Sequence, residues 1–408
     1  MDSRWFAGLT LLSLPVHAID VDLKGLVDIR ASHSSGEPSY VSGQFGKLQN
    51  SPGGDLSLGQ LGLNLKLGLS DQLSFVVVGN SFVDDEKSEV GLTEVFLKYS
   101  GLPSENGVRH SARVGAFYPP ISLENRATAW SPANTLTPST MNSWIGEEVR
   151  TTGVEYTAEW LGKFREVDYD LKLNTGLFGF NDTAGAMLSW HGWALSSHQS
   201  VIGEGLLVPQ TPAQTTLLTD QAKESDPFHE GDDRLGYFLN AEYKLKKKLL
   251  LQAGYYDNNA TPYMIQDGQY GWETRFAYTG FRWQIDKQWS LMGQLMQGST
   301  LMQSPQRENV VDNDYRSAYL TLSWRNGPHR VSTRLEEFSV TDFDQTVGDN
   351  NDEYGKAFTL SYRYRLNRQW FLLNEFNWIN STRAARAYNQ DDQKQLERQL
   401  QVALRYYF

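Results

Sequence analysis

The sequence predicts an all-β protein, a transmembrane antiparallel β-barrel of about 16 strands with short turns at one end and long loops at the other. Three observations predict it. Apolar and polar side chains alternate with a period of two along most of the 408 residues. No apolar run reaches the roughly 20 residues that a membrane helix needs. The connections between alternating segments are short and long by turns. Alternation over about ten residues marks a strand with one apolar and one wet face. The polar faces carry charges on strand after strand, and a soluble sandwich would have to bury these without partners. Apolar faces turned to lipid and charges turned to a lumen remove that conflict.

Residues 1–18 have the form of a secretory signal, leaving 19–408 as one barrel domain. Arg4 supplies the positive charge, Trp5 to Leu14 the apolar stretch, and Val16-His17-Ala18 the small-residue cleavage site. Removal of this segment takes away one acid and one base, so the net charge stays at −11. That balance, with no basic patch, argues against nucleic acid as a partner. The chain has no cysteine, which avoids stray disulfides in an oxidising compartment.

Alternation then sets in at once. Val21, Leu23, Val27 and Ile29 share a face opposite Asp22, Lys24, Asp28 and Arg30. Leu61, Leu63, Leu65 and Leu67 oppose Gln60, Asn64 and Lys66, and Val154, Tyr156, Ala158 and Trp160 oppose Glu155, Thr157 and Glu159. Val167 to Leu173, Leu235 to Leu245 and Phe358 to Leu366 repeat the pattern. Leu239 and Leu360 are expected to face lipid, where an arginine costs roughly 2–4 kcal/mol, and Asn240 to face water, where it costs far less.

Short turns are expected at 70–72, 100–109, 162–165, 246–248, 286–288, 326–328 and 367–368, and long loops near 33–55, 82–89, 119–150, 181–233, 257–268, 301–313, 342–355 and 381–395. Seven turns and eight loops require sixteen strands with both termini at the short-turn end. This is the expected arrangement of periplasmic turns and extracellular loops in a bacterial outer membrane. Trp160, Trp289, Trp324, Trp370, Tyr406 and Phe408 lie beside short turns or the C-terminus and are expected to form an interfacial girdle.

The final segment alternates to its last residue: Leu400, Val402, Leu404, Tyr406 and Phe408 form the apolar face. This resembles the C-terminal signature of bacterial outer-membrane proteins, which implies that Tyr406 and Phe408 signal to the barrel-assembly machinery. Outer-membrane lipid and lipopolysaccharide are the expected surroundings.

The loop 119–150 follows Gly115-Ala116-Phe117 and Pro119-Pro120 and ends at Arg150-Thr151-Thr152-Gly153-Val154-Glu155-Tyr156. This strand–loop–strand pattern, about 45 residues long, resembles the phosphate- and polyphosphate-selective porin family. The resemblance implies a trimeric porin with a constricted, arginine-lined lumen. The acidic balance of this chain (pI ≈ 5.2) departs from that family's basic pore, so phosphate selectivity does not carry over. A barrel of sixteen strands is too wide for its wall side chains to fill. Loop 119–150 is therefore expected to enter the lumen and limit it, its prolines bending the chain at the wall.

On the polar faces of the C-terminal half stand Arg282, Arg330, Arg334, Arg363, Arg365 and Arg405. Glu124, Glu147 and Glu148 on the loop are expected to oppose them across the pore, with Arg126 nearby. The bland alternative is that these arginines pair with wall acids such as Glu336 and Glu375. Loop 181–233, with Trp190-His191-Gly192-Trp193 and the acidic run from Asp226 to Asp233, is expected to be a mobile external flap. That run, Asp84-Asp85-Glu86 and 349–353 have carboxylates suited to a divalent cation, but lack a calcium-loop spacing and read as solvated. No cofactor and no metal ligand set are expected.

The function this implies is passive diffusion of small hydrophilic solutes or ions through a water-filled channel, with the homotrimer implied by the resemblance. Two other classes stay open. A scaffold, anchor or adhesin would have a plugged or guest-filled lumen, for which 181–233 is long enough. A rim hydrolase would need a histidine paired with serine or aspartate, and His33, His110, His191, His198, His229 and His329 show no such motif.

Overall fold

The computed structural model describes residues 20–408, so the expected signal segment 1–18 lies outside the described residues. Sixteen antiparallel strands close into one barrel. They are β1 Asp20–Ser35, β2 Gly53–Gly68, β3 Leu73–Val83, β4 Ser88–Ser100, β5 Val108–Phe117, β6 Thr151–Trp160, β7 Tyr169–Gly179 and β8 Gly236–Leu245. The circuit continues with β9 Leu249–Asp257, β10 Glu273–Gln284, β11 Trp289–Gln303, β12 Asn309–Asn326, β13 His329–Asp342, β14 Glu353–Arg365, β15 Trp370–Arg383 and β16 Lys394–Tyr407. Each strand pairs with its neighbour in sequence, and β1 closes the circuit on β16 from Leu26↔Tyr407 to Ser35↔Arg398. Closure leaves no unpaired edge, which lipid would not tolerate.

At the seam the last residue locks onto the first strand. Gly25 N–H donates to Phe408 O at 2.9 Å, and Phe408 N–H donates to Gly25 O at 3.1 Å. The Phe408 ring lies over Gly25, where an added Cβ would come within 2.0 Å of it.

The faces are as the alternation predicts. Leu239, Leu360, Val154 and Tyr156 are exposed on the outside, whereas Asp28, Gln60, Glu155 and Asn240 are buried inside. Parity is corrected where it would fail: a bulge between Asp28 and Ile29 takes up Gly59, so that Leu56 and Leu58 face outward like Leu61 to Leu67. The girdle residues pair at the short-turn end, Trp289 with Trp324 and Trp370 with Tyr406. Tyr406 also stacks on Phe408.

All seven short turns fall where expected. The length contrast is weaker than expected at the other end, because 84–87 and 304–308 are as short as turns. The loop expected at 257–268 runs on to 272, interrupted by a ribbon pairing Ile265 with Tyr270. The remaining long loops hold the helices α1 Thr140–Glu148, α2 Ala186–Trp190 and α3 Pro212–Thr216.

Candidate functional site

Loop 119–150 enters the lumen, and two glycines of the strands that carry it make room. Gly115 has φ 135°, and a Cβ there would sit 2.2 Å from Val95 O. Gly153 approaches Leu177 O in the same way. Helix α1 is buried on every side, because it is wrapped by barrel wall on one flank and by a second inserted loop on the other. Trp144 packs edge-on against Trp193, Phe276 and Tyr315 at 5.4–5.9 Å. Met141, Ile145, Leu188 and Leu195 join the same apolar cluster.

Glu124 and Arg334 fix the start of α1. The Arg334 guanidinium donates to Glu124 Oε1 and Glu336 Oε1, both at 2.7 Å, and to the carbonyls of Thr137 and Pro138. The other Glu124 oxygen accepts from the N–H and the hydroxyl of the N-cap Ser139, and the other Glu336 oxygen accepts from Thr140 N–H. Two carboxylates thus meet the positive end of the helix and share one arginine. Glu375 receives the N–H groups of Leu136 and Thr137 rather than pairing with arginine.

The loop 181–233 corrects the expectation of an external flap: much of it lies inside the barrel. Residues 181–201 are buried throughout. The reason is visible in its partners. Glu148 accepts from Trp144 Nε1–H and from the N–H groups of Gly185, Met187 and Leu188, so it caps the start of α2. Glu147 pairs with His191 at 3.1 Å. Glu147 and Glu148 therefore do not oppose an arginine wall, as the sequence suggested; they hold one inserted loop against the other. His198 pairs with Glu204 at 2.8 Å, and Lys87 reaches Glu204 at 2.6 Å. Arg150 lies over the Tyr118 ring and donates to that hydroxyl and to the carbonyls of Ser200 and Gly146.

A second anchor was not legible in the sequence. Lys47 Nζ meets Glu353 at 2.6 Å with both side chains fully buried, and Arg383 lies 3.7 Å from the other Glu353 oxygen. Lys47 and Arg383 also donate to the carbonyls of His191, Ser189 and Trp190. Glu353 had read as part of a solvated acidic run. Only the register between β13, β14 and β15 brings it under the loop.

The filling seals this part of the lumen. The wall residues Asn240, Thr274, Asn313, Ser317, Thr359 and Asn377 face inward and are no more than 1% exposed. Asn240 sits in a chain of amides with Asn174 and Gln252 and accepts from the Tyr278 hydroxyl. The expectation that it would tolerate arginine cheaply fails, since the position has no room.

Toward the short turns the lumen opens into a cavity of about 820 Å³. Arg126, Arg282 and Arg330 line it. Arg330 donates to Asn134 and Arg363 to the carbonyl of Ala133, so both touch loop 119–150 at its underside. Arg405 is instead buried against Asp28. Arg365 stands exposed at the strand end, two residues beyond Arg363, and does not line the cavity.

Among the described residues, Asp182, Glu230 and Asp232 bring carboxylate oxygens within 4.8 Å of one another at the long-loop end. Each also accepts a backbone N–H, from Gly231, Phe180 and Thr261 respectively. Asp84 and Glu86 receive Gln49 and Ser51 and fasten the first loop. The rings of His110, His191, His198 and His329 bond to Tyr156, Glu147, Glu204 and Tyr362 respectively.

No protein-family model matches the chain, and no curated protein matches it by sequence. Solved structures do resemble it. An anion-selective porin from Comamonas acidovorans has a TM-score of 0.53 at 13% identity, over 96% of this chain and 100% of that one. The outer membrane channel DcaP of Acinetobacter baumannii has 0.52 at 11%, over 96% and 97%. OmpT of Vibrio cholerae, an outer membrane protein in a trimer form, has 0.52 at 9%, over 96% and 100%. The chain thus has the fold of a porin-like outer-membrane β-barrel.

Proposed function

We propose that the protein is an outer-membrane channel for small hydrophilic solutes, with its lumen closed in this conformation by loops 119–150 and 181–233. The observation that carries this reading is the cavity. A solvent-accessible vestibule of about 820 Å³ leads inward from the short-turn end and stops at the underside of loop 119–150. A barrel serving only as an anchor has no need of a wide, charged recess. On this reading loop 119–150 narrows the pore and loop 181–233 is the movable part that shuts it.

The outer surface fits a membrane assembly of several copies. Among the described residues, the outward face of β1 to β4 is uncharged and mostly aliphatic, with Val21, Leu23, Ile29, Leu63, Val83, Val90 and Leu92 exposed. The girdle tryptophans Trp160, Trp289, Trp324 and Trp370 all lie on other strands. Tyr99 is the one large ring exposed on this face among the described residues; a face so poor in the rings that anchor to lipid suits contact with a second copy, and a homotrimer is the reading it supports. On β12 to β14, Arg316, Glu337 and Lys356 point outward on the long-loop side of Leu320, Leu335 and Phe358, which suits contact with lipopolysaccharide headgroups. Phe408, seated on Gly25, is the element offered to the assembly machinery.

A second reading, a plugged barrel acting as scaffold or anchor, is favoured by the sealed lumen. Single-channel recording of the purified protein in a planar bilayer, with reversal potential in a salt gradient, separates the two. Discrete conductance steps support the channel. A silent barrel that stays silent after deletion of 185–228 supports the anchor.

A further inference from the structure

The vestibule has a charge pattern that a general diffusion pathway does not require. Eleven lysines and arginines line it against five carboxylates, in a protein whose net charge is −11. The carboxylates are already engaged. Glu159 pairs with Arg109, Glu155 with Arg113, Glu242 with Lys172 and Glu124 with Arg334, while Asp170 accepts from Gly162 N–H. Where the inserted loop meets the wall, Arg126 from the loop and Arg282 from β10 line the same recess. Arg330 from β13 makes one side-chain hydrogen bond, to the neutral Asn134, and stands directly across the strands from Arg325 and Arg363. Its Nε–H is buried without a partner. Like-charged guanidiniums gathered in one recess repel one another, and an anion among them relieves the repulsion. Guanidinium also matches carboxylate and phosphate in charge and geometry. Phe96, Leu123, Leu250 and Met292 supply an apolar wall beside these cations, enough to cover a short carbon skeleton.

We propose that the vestibule is a binding site for a small organic anion carrying two or more carboxylate or phosphate groups, entered from the short-turn side, with Arg126, Arg282 and Arg330 as its principal contacts. The site differs from a pore constriction. The arginine at the constricting loop, Arg334, is fully buried between Glu124 and Glu336 and has no valence left for a solute. Binding therefore needs no movement of the sealing loops and no conduction, although the vestibule is the same one on which the channel reading rests.

Equilibrium dialysis of the detergent-solubilised full chain against citrate and against sugar phosphate at low salt tests this. Citrate and sugar phosphate are both expected to bind and to be displaced by salt, while a neutral disaccharide is not. Replacing Arg126, Arg282 and Arg330 together by glutamine is expected to weaken binding by at least about tenfold for each guanidinium contact that is lost. Lys24→Gln, on an exposed lysine paired with Asp22 and outside the vestibule lining, should leave it within about twofold. Heat-modifiable migration on gels confirms that the triple variant still forms the barrel; if it does not, Arg282→Gln alone takes its place. Undiminished citrate affinity in the folded arginine variant overturns the proposal, as does equal binding of the neutral sugar. A barrel that binds citrate but never conducts keeps the site and refutes the channel, and a barrel that conducts without binding does the reverse.

Discussion

In the filled part of the lumen Arg334 and Arg383 are buried against Glu124, Glu336 and Glu353, whereas in the vestibule Arg126 and Arg282 stand exposed with no carboxylate of their own. The same sixteen strands wall both regions, and the same residue type serves opposite ends. In the filled part each of these charges meets an opposite charge or is bound by N–H or carbonyl groups, because an ion without such partners there would carry a large desolvation cost. In the vestibule water screens the charges, so a surplus of one sign is tolerated and is free to act on a solute. The difference comes from what the loops bring. Loop 119–150 contributes helix ends and carboxylates to one region and only its underside to the other.

The largest test of that contrast is to empty the filled part. Deleting 185–228 should remove the segment that covers α1 and raise single-channel conductance clearly, with the barrel still assembling. Deleting 123–145 alone should raise it less, since loop 181–233 still crosses the mouth. The reverse order in bilayer recordings would break the assignment of the seal.

Next in size is a buried charge. Arg334→Ala leaves Glu124 and Glu336 uncompensated and should cost about 3–5 kcal/mol in denaturant unfolding from vesicles. Arg282→Ala, in the vestibule, should stay within about 0.5 kcal/mol. Equal losses would mean that the two regions do not differ in solvation.

The lipid face gives a third comparison. Leu239→Arg should cost about 2–4 kcal/mol, and Gln284→Arg, in the vestibule, close to nothing. The original expectation for Asn240 moves to the costly side, because that amide is packed and fully bonded.

The smallest effect is pH-dependent. Burial, with Glu230 and Asp232 nearby, holds the Asp182 carboxyl up to about 7 from an ordinary 3.8, despite a hydrogen bond from Gly231. The folded loop therefore keeps a proton that the unfolded chain releases, and stability should fall as pH rises from about 4 to 7. Burial lowers the His198 imidazole, but Glu204 lifts it above 6.5 overall. That contribution is complete below 6.5 and is lost as pH rises through the lifted value. Both groups loosen loop 181–233 in the same direction, so the protection of 181–204 against hydrogen exchange, with the intrinsic base-catalysed rise divided out, should fall between pH 5 and 8. Asp182→Asn should flatten the lower part of that profile.

How much of this was legible in the sequence varies with the range of the interaction. The strands of β8 and β14 could be read residue by residue, since Leu239 and Asn240 differ in polarity and neighbour each other in the chain. Short turns such as Lys246-Lys247-Lys248 and Asp286-Lys287-Gln288 stood out for the same reason. Entry of loop 119–150 followed from its length and from the width of the barrel. The place of Glu147 did not follow, because its partner His191 belongs to another loop 44 residues on.

The amino-acid sequence by itself determined the barrel, its strand count, its lipid and lumen faces and the end at which the chain closes, because a period of two is a local property and a slip of one residue would expose every charge to lipid. Only the tertiary structure decided what fills the lumen. Glu124 meets Arg334 across 210 residues and Lys47 meets Glu353 across the closure of the barrel. Such pairs depend on strand register and on which loop turns inward, and a loop turns inward when its carboxylates, aromatic rings and backbone N–H groups find partners there that water would otherwise supply.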